Sequence, residues 1–147
     1  MFDKVLVVCV GNICRSPTGE GLLKKMLPNK VIASAGIATK KSGLAGKPAA
    51  NFAIEVARDN GICLEAHQAQ QLTESLCEGY DLVLVMERDH VEQVCKIAPM
   101  ARSKTLLFGQ WLGDNLINDP YMKDKIAFET AFETLERAAV SWARRLS

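Results

Sequence analysis

The stretch from Lys4 to Pro17, Lys-Val-Leu-Val-Val-Cys-Val-Gly-Asn-Ile-Cys-Arg-Ser-Pro, leaves few folds open to this chain. Its apolar run from Val5 to Cys9 reads as a buried strand, and Pro17 stands where helices tend to begin, so a short loop must join strand to helix N-terminus. A thiol and a guanidinium sit inside that loop, with Gly11 and Asn12 between them to let the backbone curl. A loop of this kind turns its N–H groups toward one point, with the helix dipole aimed at the same place. Such a cup binds a tetrahedral oxyanion, and Cys9 at its floor would be able to attack one. Arg15 would hold two oxygens of the anion at once, which a lysine cannot do. The backbone N–H groups expected to line the cup belong to Val10, Gly11, Asn12, Ile13, Cys14 and Ser16. None of the other four cysteines has an arginine six positions on. The bland alternative is a strand cysteine followed by an ordinary loop.

The rest of the chain alternates strands with helices. Ser16 is the expected N-cap of a first helix with an apolar stripe of Leu22, Leu23, Met26 and Leu27, stopped by Pro28. Gly19 and Gly21 weaken its first turns, by roughly 0.5 to 1 kcal/mol each against alanine, which close packing would explain. A second strand covers residues 31–35 and ends at Gly36, followed by a polar loop from Ala38 to Lys47. Pro48 is expected to open a helix through Ala49, Phe52, Ala53, Val56 and Ala57, closed by Asn60-Gly61. After an irregular stretch, a short helix spans Leu72 to Glu78, with Thr73 near its start. Tyr80 to Met86 reads as a strand buried on both faces. A helix from Glu87 to Ala98 is broken by Pro99, Lys104 to Phe108 forms a fourth strand, and a loop runs from Gly109 to Tyr121. In the last helix Phe128, Ala131, Phe132, Leu135, Ala138, Ala139, Trp142 and Leu146 recur at helical spacing. This pattern predicts an α/β fold: one three-layer domain over 1–147, a four-stranded parallel sheet with helices on both faces and the anion-binding loop after the first strand. In such sheets ligands bind at the carboxyl ends of strands where the order reverses, and Cys9 stands at such an end.

Bulk properties remove several classes of function. The net charge is +1 and no run of lysine or arginine exceeds two residues, so nucleic acid is not an expected partner. No apolar run approaches a membrane span, and Met-Phe-Asp-Lys reads as a strand lead-in rather than a signal peptide, so a cytoplasmic location without membrane insertion is expected. Five cysteines, an odd number, read as thiols rather than a disulfide framework. No zinc spacing and no nucleotide-binding glycine motif is evident, so neither a metal nor a cofactor is expected.

The loop Cys9–Pro17, Ser34-Ala-Gly36 after the second strand, Ala66-His67 before the short helix and Asp119-Pro-Tyr121 far downstream together resemble the low-molecular-weight protein-tyrosine phosphatases. The resemblance covers essentially the whole chain and is similar in detail to the bacterial branch that acts on tyrosine autokinases of polysaccharide export. It implies a phosphotyrosine protein as substrate, with a membrane tyrosine autokinase as the partner. It also implies that Ser34 and His67 brace the loop, although a histidine satisfied by backbone groups explains His67 equally well. Three positions depart from the pattern: Gln70 replaces an arginine, Thr39-Lys40-Lys41 stands where eukaryotic members carry an aromatic wall, and Met122 follows Tyr121. A more basic, less aromatic wall with Lys40 and Tyr121 at the substrate is therefore expected. Oligomeric state is not legible.

In the chemistry this implies, Cys9 attacks phosphorus in line while the loop N–H groups and Arg15 hold the equatorial oxygens. Ser16 is placed to donate to the sulfur, besides capping the helix. The departing phenolate needs a proton, and Asp119 is the expected source. Asp114 and Asp124 compete for that role, but neither is followed by a proline and an aromatic residue as Asp119 is. Cys14 is either a partner that captures an oxidised Cys9 as a disulfide or a small buried residue. Cys63, Cys77 and Cys95 read as core or helix residues, and His90 as a surface one. Two rivals remain: an arsenate reductase on the same fold, which would need two further redox cysteines where Met86 to Cys95 offers one, and a non-catalytic anion or phosphotyrosine binder.

Overall fold

The computed structural model describes residues 2–113 and 116–147. Four strands, β1 (Lys4–Cys9), β2 (Val31–Gly36), β3 (Leu82–Val85) and β4 (Thr105–Leu107), form one sheet in the order β2-β1-β3-β4. All pairs are parallel, with Val7 opposite Ser34 on one side and Leu84 on the other. The chain leaves β1 toward β2 on one side and later returns to β3 on the other. The order thus reverses at β1, and a crevice opens beyond its carboxyl end.

Alternation along β1 assigns the two layers. Val5, Val7 and Cys9 face the larger core, shared with α1 (Arg15–Met26), α2 (Asn51–Asp59) and α5 (Lys125–Leu146). Leu6 and Val8 face the other, shared with α3 (Glu74–Glu78), α4 (Arg88–Ile97) and a 3₁₀ turn at Pro99–Lys104. The glycines of α1 allow this closeness: a Cβ on Gly21 would stand 2.7 Å from Ile62, and one on Gly19 3.1 Å from Val7.

Some sequence expectations shift. Helix α2 begins at Asn51 rather than Pro48, because Ala50 is still extended, and Phe52 is part-exposed against the edge of Phe128. Helix α1 begins at Arg15, one residue before Ser16, so Ser16 is not its N-cap. Burial corrects two more: His90 is 2% exposed, buried on α4, whereas Cys63 is exposed in the irregular stretch after α2. Helix α3 begins at Glu74 rather than Leu72, with Thr73 as its N-cap, its side chain accepting from the Leu76 amide.

Candidate active site

The loop between β1 and α1 is held from outside by its carbonyls. Val10 O accepts from the Ala38 amide at 2.9 Å, Gly11 O from Thr39 Oγ1 at 3.0 Å, and Ile13 O from the Ala50 amide at 2.8 Å. Asn12 O is 2.6 Å from His67 Nε2, and a carbonyl can only accept, so that ring nitrogen carries the proton. In a trans peptide the N–H points opposite the C=O. Four successive carbonyls bound outward therefore turn the following amides inward, and one of them, Asn12 N–H, donates to Cys9 Sγ at 3.3 Å. The loop is a nest of donors around a thiol.

Asn12 makes that shape possible. Its φ of 63° is left-handed, as expected for this residue type, and it is fully buried. Its Nδ2 donates to Ser16 Oγ at 2.7 Å and Ser34 Oγ at 2.9 Å, while its Oδ1 accepts from the Gln70 amide at 2.9 Å. Ser16 Oγ also lies 2.9 Å from Cys9 Sγ, and toward a thiolate sulfur, which can only accept, the hydroxyl is the donor. Ser34 in turn donates to Glu20, whose other oxygen meets Lys24. Ser34 and His67 thus both bond to Asn12, His67 at its backbone carbonyl, and so does Gln70, which from sequence suggested only a peripheral change. Its side-chain amide also donates to Ser34 O. A main-chain bond to Asn12 has no side-chain signature, which is why it was not legible.

Arg15 is 2% exposed, and Nη1 is committed to Glu87 Oε2 at 2.6 Å and Ile117 O at 2.8 Å. Nη2 lies 3.7 Å from Asp119 Oδ2. Glu87 was missed in the sequence, although an acid directly after a buried strand that ends beside β1 was a readable cue. His90 stands 3.8 Å from the same Glu87 oxygen, and its Nδ1 has no partner among the described residues.

These groups open into a cleft of about 220 Å³ whose lining, beyond the loop, is Cys9, Arg15, Ser42, Leu44, Asp119 and Tyr121. Lys40 does not line it: its side chain is exposed and its amide donates to Gln71. The wall beside the loop is instead aliphatic, with Leu44 lying over Gly11. Of the carboxylates that compete with Asp119, Asp124 is occupied as the N-cap of α5, accepting from the Ala127 amide at 3.0 Å, and Asp114 lies outside the described residues. Asp119 faces the cleft, and its Oδ1 accepts from the Tyr121 amide, which holds the acid and the aromatic residue in one turn.

Cys14 also lines the cleft. Burial, and then the charge at Cys9, pushes its thiol far above the ordinary range, so it enters the site protonated. A disulfide with Cys9 would need its thiolate. Of the five cysteines only these two reach the cleft, which leaves a three-thiol relay no place.

The family model described as low molecular weight phosphotyrosine protein phosphatase matches residues 4–147. Among solved structures, Wzb of Vibrio vulnificus in complex with benzylphosphonate is 58% identical, with a TM-score of 0.97 over 99% of each chain. The Escherichia coli (strain K12) low molecular weight protein-tyrosine-phosphatase Etp is 50% identical over 99% of this chain and 96% of its own. A probable phosphatase of the same class, AmsI of Erwinia amylovora, is 49% identical over 100% and 99%.

Proposed function

The chain belongs to the low molecular weight phosphotyrosine protein phosphatase family, and from that premise we propose that Cys9, Arg15 and Asp119 carry its reaction. The protein is a protein-tyrosine phosphatase, a phosphoric monoester hydrolase. The observation that carries the assignment of residues is the ring of outward-bound carbonyls, which leaves a cup of N–H groups centred on the Cys9 sulfur.

In the first half-reaction the Cys9 thiolate attacks phosphorus, the bond to the tyrosine oxygen breaks, and Asp119 gives that oxygen its proton. Tyrosine leaves and a cysteinyl-phosphate remains. In the second, Asp119 takes a proton from water as the water oxygen attacks phosphorus, and the sulfur departs as thiolate. Ser16 O–H and Asn12 N–H favour that departure by donating to the sulfur. Inward N–H groups and Arg15 hold the equatorial oxygens throughout, where the charge changes most. Tyr121 flanks the aromatic ring, and Leu44 packs on its other side.

The protein substrate that fits this reading is a bacterial membrane tyrosine autokinase of polysaccharide export, met from the cytoplasm. Support for the ring-bearing substrate comes from the Vibrio vulnificus relative, described with benzylphosphonate, an aryl-bearing phosphonate. Among the described residues no helix is long and apolar enough to cross a membrane.

The test is leaving-group dependence. Asp119→Ala should lose roughly 100- to 10,000-fold on phosphotyrosine peptides but far less on nitrophenyl phosphate, whose anion departs with little help. Equal losses on both substrates would remove Asp119 from the acid role.

A further inference from the structure

The chain as a whole is nearly charge-balanced, with 18 basic and 17 acidic residues. One rim of the cleft is not. From Gly36 to Ile54 there are three lysines, Lys40, Lys41 and Lys47, and no acidic residue. All three are exposed, and none joins an ion pair among the described residues.

This loop is rigidly tied to the catalytic cup. Ala38 and Thr39 donate to Val10 O and Gly11 O, the Lys40 amide donates to Gln71, and Leu44 N and Lys47 N close turns onto Thr39 O and Leu44 O. Two of its residues, Ser42 and Leu44, line the cleft itself. Residues flanking a phosphotyrosine seated on Cys9 that cross this loop pass Lys40 and Lys41 on one side of Ser42 and Lys47 beyond Leu44. Lys123, two residues after Tyr121 on the facing rim, is also exposed and joins no ion pair among the described residues.

Resting on the phosphatase reading, we infer that the loop 38–47 is a specificity element that selects phosphotyrosines flanked by acidic residues. Aspartate, glutamate or a second phosphotyrosine next to the scissile one meets uncompensated ammonium groups there. Basic flanks meet like charge. Exposed pairs are individually weak, so two or three such contacts favour an acidic flank by about three- to tenfold, and salt screens them. Complementary rim charge of this kind acts mainly on encounter, so the effect belongs in kcat/KM.

The experiment compares phosphotyrosine peptides matched in length with glutamate, glutamine or lysine flanks, at low and high salt, for wild type and the Lys40→Glu/Lys41→Glu variant. Nitrophenyl phosphate, which has no flanks, reports on the cup in parallel. The expected wild-type order is glutamate over glutamine over lysine, about three- to tenfold across the series. It should flatten at high salt and reverse in the variant. A flat wild-type series, with the small ester still hydrolysed, would overturn the specificity element alone. A glutamate preference that survives in the variant would overturn the assignment to this loop. If the series is flat and the variant instead loses binding to vesicles of anionic lipid, the lysines serve a membrane surface and the inference fails. No turnover of any substrate by wild type would remove the phosphatase reading, and the rim with it.

Discussion

His90 is a buried imidazole beside two charged groups, with Nδ1 unpartnered among the described residues. Burial lowers its pKa from 6.5 and the Arg15 charge lowers it further, outweighing Glu87, Asp89 and Asp119, which act the other way. The folded protein thus holds it neutral where the unfolded chain would take a proton. Stability is then fully present above pH 6.5 and declines as pH falls below it, because the unfolded state binds the extra proton. Melting temperature followed against pH should show this. In His90→Gln the slope between about pH 7 and about pH 5 should be shallower than in wild type, and equal slopes would mean the imidazole is not the titrating group. Asn12 shows the opposite economy: every polar atom of its side chain is bonded, so it reads as a brace rather than a titrating or reacting group.

At the scale of elements, the end of β2 decides whether the cup keeps its shape. Gly36 pairs with Cys9 across the sheet, and a Cβ there would meet Thr39 Oγ1 and come within 2.7 Å of Val10 O and 3.0 Å of Asn12 N. Two of these are backbone atoms of the catalytic loop, which cannot rotate out of the way. Gly36→Ala should therefore cost roughly 1–3 kcal/mol by denaturant unfolding and should weaken binding of an oxyanion such as vanadate out of proportion to the stability lost. Retained vanadate affinity would mean the loop absorbs the methyl group without moving its N–H donors.

At the scale of the whole molecule, α5 closes the larger core by packing on α1 and α2, and its far end is latched to the sheet. Trp142 Nε1 donates to Leu107 O at 3.2 Å and Phe108 O at 2.9 Å, its ring meets Trp111 edge-on, and Arg145 lies over Trp111 at 3.6 Å. Phe108 in turn lies against Gly19 of α1, so the latch reaches the helix that follows the catalytic loop. Trp142→Phe keeps an aromatic ring but removes the donor to Phe108 O, while Leu107 O keeps the Gln110 amide, and should lower stability by about 1–3 kcal/mol. Turnover at low temperature should stay near wild type, measured beside thermal unfolding. A large loss of kcat without loss of stability would place the helix end in the chemistry.

Local sequence by itself determined the architecture and the floor of the site. Val5 to Cys9, the turn residues Gly11 and Asn12, and Arg15 directly before a helix interior carry their structural meaning within one strand-loop-helix unit, where short-range sterics and burial decide the outcome. The alternation of apolar runs with helical stripes similarly implied a parallel sheet. Only the tertiary structure decided which groups meet across it. Asp119 faces the cleft while Asp124 caps α5, a placement that supports the residue its following proline and tyrosine had already singled out. Glu87 reaches Arg15, Gln70 reaches Asn12 and His90 is buried because parallel crossovers bring the ends of distant strands together. Lys40, placed at the substrate from its loop, lies outside the cleft because the backbone turns there and presents Ser42 and Leu44 instead. Side-chain type records what a residue is able to do, but the partner it does it with is fixed by packing over long sequence separations, where local pattern carries no information.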